Sequence, residues 1–97
     1  NPLEYRSILP QEKKINNLTN PPELTVEFFK EQENIKNITC YSNDGGKWKK
    51  SNLNFENNFM KVKFDEKCVP RRGRINCSLN DNGKWRWFGT QFTVVNN

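Results

Sequence analysis

What most constrains this chain is a repeated alternation of apolar and polar residues in short runs, each closed by a cluster of turn formers. Ile75, Cys77 and Leu79 alternate with Arg74, Asn76 and Ser78, and Asn80-Asp81-Asn82-Gly83 follows at once. Asn, Asp and Gly tolerate positive φ, so this cluster predicts a hairpin that lays residues 74–79 antiparallel to residues 84–95.

The same two-residue period recurs upstream. Leu24, Val26 and Phe28 share one face opposite Thr25 and Glu27, which is the mark of a half-buried strand. Ile38 and Cys40 repeat it, with Asn37, Thr39 and Tyr41 outward. Ser42-Asn43-Asp44-Gly45-Gly46 then reverses the chain before a short strand at Lys47-Trp48-Lys49, and Leu53 and Phe55 suggest another. Beyond a turn at Asn57-Asn58, Met60, Val62 and Phe64 alternate with Lys61 and Lys63. Gly89 interrupts the last run and predicts a bulge before Phe92 and Val94. No segment longer than a turn has a helical period. The expectation is an all-β fold, a small antiparallel β-sandwich of immunoglobulin-like type with six or seven strands.

The chain is 97 residues long, which fits one domain. Residues 1–21 carry Pro2, Pro10 and Pro21 in a polar stretch without sustained period and read as a linker or arm. Residues 22–97 read as the sandwich. Mean hydropathy is −1.00, a value that disordered chains share. Twelve aromatic residues argue instead for a folded chain, because Phe, Trp and Tyr bring large areas to bury. A chain this short hides only about 60–65% of its unfolded surface, so its core is thin and a covalent staple would help.

Cys40, Cys68 and Cys77 show none of the paired spacings of zinc or thioredoxin-like sites, and a disulfide in an extracytoplasmic setting is the better reading. We expect Cys40–Cys77, because both lie in inward-facing runs with Ile38 and Ile75. Cys68–Cys77 is the rival, and Cys68, before a Pro-containing loop, is the expected odd thiol. A chain that starts at Asn1 without Met reads as a processed form or an excised piece. It has no apolar run long enough to span a bilayer. Asn17, Asn37 and Asn76 each begin a glycosylation-type triplet, but sixteen Asn make chance matches expected. The Asn-rich, Ala-free composition reads as that of an AT-rich bacterial gene.

The chain contains no His, which removes the commonest general base and metal ligand. Asp65-Glu66 is a poor acid–base pair, since neighbours on a strand face opposite ways. Asn80-Asp81-Asn82-Gly83 lacks the closing Glu of a calcium loop. No catalytic, cofactor or metal residues are therefore expected. Charge is uneven: residues 1–44 hold five basic and seven acidic groups, residues 45–97 eleven and four. A basic half rich in aromatics fits an anionic polysaccharide, a nucleic acid, a phospholipid surface or an acidic partner.

The densest feature is Gly73-Arg74-Ile75-Asn76-Cys77-Ser78-Leu79, the turn, and then Lys84-Trp85-Arg86-Trp87-Phe88-Gly89. This motif pair resembles the C-terminal end of certain bacterial polysaccharide deacetylases, where a small β domain follows the catalytic barrel. Leu24-Thr25-Val26-Glu27-Phe28 and Ile38-Thr39-Cys40-Tyr41 are also similar, so the resemblance spans about residues 22–95. It implies a non-catalytic accessory domain of an exported, periplasmic or secreted, protein that handles N-acetylated glycans, with a polysaccharide or peptidoglycan-type glycan, or the catalytic domain itself, as partner. The family's metal-binding Asp and His residues sit in the barrel and have no match here, and Cys68 lies outside the pattern.

Candidate ligand-binding residues are Trp48, Trp85, Trp87, Phe88, Arg71, Arg72, Arg74 and Arg86. Each has a plainer reading. Trp85 and Trp87 share a face, which in a small core is expected to be buried, with Phe88 outward unless Gly89 bulges the strand. Exposed, they would stack on sugar rings while Arg86, Gln91 and Asn76 bond hydroxyls. Trp48 is expected in the core beside the disulfide, the alternative being a stacking platform beside Gly45-Gly46. The arginines, joined by Lys61, Lys63 and Lys84, form either a clamp for carboxylates or phosphates or a solvated face. Two further functions stay open: a protein-interaction module such as an adhesin, inhibitor or toxin subunit, and a binder of nucleic acid or another anionic polymer.

Overall fold

The strongest hairpin signal in the sequence is also the longest pairing in the structure. The computed structural model describes residues 2–16, 23–30, 32, 35–43, 46–64 and 72–95. Its strands are β1 (Tyr5–Leu9), β2 (Lys14–Asn16), β3 (Glu23–Phe28), β4 (Thr39–Asn43), β5 (Lys49–Lys50), β6 (Asn52–Glu56), β7 (Phe59–Lys63), β8 (Arg72–Asp81) and β9 (Lys84–Val95). The only helical piece among the described residues is a single 3-10 turn at Ile35–Asn37.

β8 and β9 pair from Arg72↔Thr93 to Asp81↔Lys84, leaving Asn82 and Gly83 as a two-residue loop. Both have positive φ, 52° and 87°, as a type I′ turn requires, and the Gly83 N–H donates to Asn80 Oδ1 at 2.8 Å. The register runs without a break through Asn76↔Gly89, so the expected bulge at Gly89 is absent.

The strands form two sheets, β1-β3-β7-β6 and β2-β9-β8-β4-β5. Their order fits the immunoglobulin plan, with β3 and β7 opposite β8 and β9. Residues 2–16, expected as a linker or arm, contribute a strand to each sheet. β1 pairs antiparallel with β3, whereas β2 runs parallel to β9 in the other sheet, so the chain changes sheets around the cis Leu9–Pro10 peptide. Leu3, Ile8 and Ile15 enter the core from this stretch. These two strands account for the excess over the expected seven.

Between the sheets, Leu24, Val26, Phe28, Met60 and Val62 meet Ile75, Leu79, Phe88, Phe92 and Val94. Phe28 and Phe88 contact edge to face, 6.0 Å between centroids. The Cys40–Cys77 disulfide is present, as a bridge between the neighbouring strands β4 and β8 within one sheet. It does not cross the sandwich as the immunoglobulin bridge does. Met60, with its sulfur 3.9 Å from Cys40 Sγ, lies against it in the place anticipated for Trp48. At the far end Asn58 clips β7's turn to β3, its backbone oxygen accepting from Phe28 N–H at 2.8 Å and its amide donating to Phe28 O at 2.6 Å.

A candidate ligand face on the five-stranded sheet

The unbroken register of β9 decides which aromatics are available. Phe88, Phe92 and Val94 point inward, so Trp85 and Trp87 point out, 58% and 54% exposed. The expectation is reversed on both counts: the tryptophan face is wet and Phe88 is in the core, its ring 5.5 Å from that of Tyr5. Trp48 is corrected likewise. It lies beside the edge strand β5 and is 45% exposed, close to the value of 46% for Tyr41 on β4.

The outer face of this sheet therefore collects Tyr41, Trp48, Trp85 and Trp87, four of the six exposed aromatics among the described residues, Tyr5 and Phe29 lying elsewhere. Leaving a large apolar side chain in water forgoes about 1.5–3 kcal/mol of burial, and a clustered exposure of this kind marks a binding surface. The face is also notched. Gly89 sits beyond Trp87 on β9 and opposite Asn76, which in turn is opposite Tyr41. A groove of about 350 Å³ opens there, lined by Tyr41, Asn76, Ser78, Trp87 and Gly89. Tyr41 lies two strands from β9, so the two backbones that flank the groove are about 10 Å apart, two inter-strand spacings. Any β-carbon at position 89 would lie 2.6 Å from Asn76 Oδ1, so glycine keeps the floor open.

Further along the same face, Arg72, Arg74, Gln91, Asn43 and Trp48 border a second groove of about 440 Å³. Two of the candidate arginines thus join the aromatics. Arg86 does not: it lies on the inward parity of β9 at the end of the sandwich, where its Nη1 donates to Gln32 Oε1 at 3.0 Å. Lys61 and Lys63 belong to the other sheet, and Lys84 to the hairpin tip. Arg71, Cys68 and Asp65-Glu66 lie outside the described residues, as do Asn17 and Asp44-Gly45. Among those described, no three His, Cys, Asp or Glu side chains come together as metal ligands would.

Tyr41 and Gly89 were not among the candidates, whereas Gln91 and Asn76 were expected to bond sugar hydroxyls. The signal for the first two lay in strand parity, since each shares the outward side with Trp87. A larger hollow, about 940 Å³, lies where the β6–β7 turn approaches the 3-10 turn and is bordered by Lys30, Lys36, Asn37, Asn57, Asn58 and Phe59, among others. It presents amides, two lysines and the part-buried ring of Phe59 but no tryptophan, so the sheet face is the better candidate.

Comparison with family models, with curated proteins and with solved structures finds no match to this chain. The functional reading rests on the face itself.

Proposed function

We propose that the chain is a non-catalytic, glycan-binding β-sandwich module. The observation that carries this is the groove between Trp87 and Tyr41, floored by Gly89 and Asn76 on an otherwise regular sheet. Aromatic faces stack on the C–H-bearing faces of sugar rings, and amides such as Asn76 and Gln91 exchange hydrogen bonds with hydroxyl and N-acetyl groups. The absence of His from the chain supports a binding role over a catalytic one.

The resemblance to the β domain of bacterial polysaccharide deacetylases agrees with this reading and suggests an accessory role beside a catalytic barrel. A disulfide together with the lack, among the described residues, of any helix able to cross a membrane is compatible with an extracytoplasmic setting, periplasmic or secreted.

Titration with N-acetylglucosamine oligomers, followed by tryptophan fluorescence, tests it. Binding should shift the emission to the blue and protect the indoles from acrylamide. Unchanged emission and unchanged quenching at saturating sugar would remove the glycan role.

A further inference from the structure

We propose that the glycan held on this face is acidic, a carboxylate-bearing polysaccharide whose ring stacks in the Trp87–Tyr41 groove while its carboxylates reach the Arg72–Arg74 groove. This rests on the glycan reading above and adds the charge of the ligand to it.

Charge is segregated between the two sheets. On the outer face of β1-β3-β7-β6, acids and bases are interleaved: Glu23 stands opposite Lys63, and Glu56 meets Lys61 at 3.5 Å. On the outer face of β2-β9-β8-β4-β5 the strands present Lys14, Lys50, Arg72 and Arg74, all exposed, and no carboxylate among the described residues. Nor does any described carboxylate pair with these four. A fold that neutralises one face and, among the described residues, leaves only cations on the other offers the second to an anion.

The two arginines are placed for a carboxylate. Arg72 and Arg74 lie two apart on β8, so both guanidinium groups stand on the same side, and each forks to two oxygens where a lysine offers only a point charge. From Asn76 on the floor of the first groove to Arg72 along β8 is about 14 Å at the usual strand rise, a span that one short oligosaccharide covers. Gln91 and Asn43 border the arginines, adding amides suited to sugar hydroxyls. A nucleic acid would also answer the charge, but the disulfide points to an oxidising compartment in which nucleic acid is scarce.

Oligomers of equal length test this: an oligouronate, neutral oligo-N-acetylglucosamine, an oligoglucosamine bearing amines, and single-stranded DNA, each titrated into the protein and into Arg72→Gln/Arg74→Gln and Trp87→Ala. The expected order is uronate, then neutral, then amine. Uronate should lead the neutral sugar by about tenfold at ~0.01 M salt and lose most of that lead at ~0.15 M, where screening shortens to ~8 Å. The double Arg variant, folded with an unchanged melting temperature, should bind uronate only as well as the neutral oligomer, whereas Trp87→Ala should weaken both. Equal affinity for uronate and neutral sugar, or an amine-bearing oligomer that matches uronate, overturns the acidic ligand and leaves the glycan reading intact. Failure of every sugar overturns both, and DNA binding tighter than uronate reassigns the face to nucleic acid.

Discussion

Trp87 and Phe88 are adjacent in the chain and have opposite environments, because one lies on the wet parity of β9 and the other on the dry. Phe88→Ala should therefore cost about 3–5 kcal/mol, removing a ring that packs against Phe28 and Tyr5. Trp87→Ala should change stability by no more than about 0.5 kcal/mol while abolishing the fluorescence response to sugar. Thermal melts of the two variants check the contrast, and a large loss from Trp87→Ala would mean that its indole is structural. Gly89 offers a finer probe. Gly89→Val places a branched side chain where Asn76 Oδ1 now lies, so the groove should fill and sugar affinity drop while the fold survives. Retained affinity in that variant, measured by the same titration, would move the site elsewhere on the sheet.

Among the elements, the β8–β9 hairpin was the most readable, and the reason is arithmetic. A two-residue loop at Asn82-Gly83 pairs Cys77 with Phe88, so once Cys77 is assigned to the core Phe88 must follow and Trp87 must face water. The weight given to large aromatics as core fillers concealed this, although the parity of Phe92 and Val94 pointed the same way. β1 and β2 were not readable. They are short, their apolar residues Ile8 and Ile15 are isolated, and the move between sheets breaks any common period. Their partners also lie far along the chain. The disulfide was legible as a pairing, from two inward-facing thiols, but not as a bridge inside one sheet.

That bridge encloses 37 residues of sequence separation, so chain entropy gives it about 3–4 kcal/mol. Cys40→Ala/Cys77→Ala should accordingly lower the melting temperature by roughly 10–25 °C in a domain of this size. A shift of only a few degrees, recorded by calorimetry, would show that the β4–β8 ladder and the packing of Met60 hold this part of the sheet without it. The hairpin turn is a smaller contributor: Gly83→Ala, at a φ of 87°, should cost about 1–2 kcal/mol in denaturant unfolding.

At the scale of the whole molecule, the sandwich separates two tasks. Its inner faces carry the apolar residues of β3, β7, β8 and β9, while one outer face mixes charges and the other displays aromatics, amides and cations. The basic second half of the sequence foretold the cations, but only the fold shows that Lys61 and Lys63 go to one sheet and Arg72 and Arg74 to the other. The central claim is that ligand contacts the outer face of the five-stranded sheet at the Trp87–Tyr41 groove. The most direct measurement follows the backbone and indole N–H resonances of the isotope-labelled protein as sugar is added. Shifts are expected at Trp87, Tyr41, Asn76 and Gly89, extending to Arg72 and Arg74 when the sugar bears carboxylates. Shifts confined to Lys30, Lys36 and Asn57 around the larger hollow, with the sheet face silent, would contradict that claim.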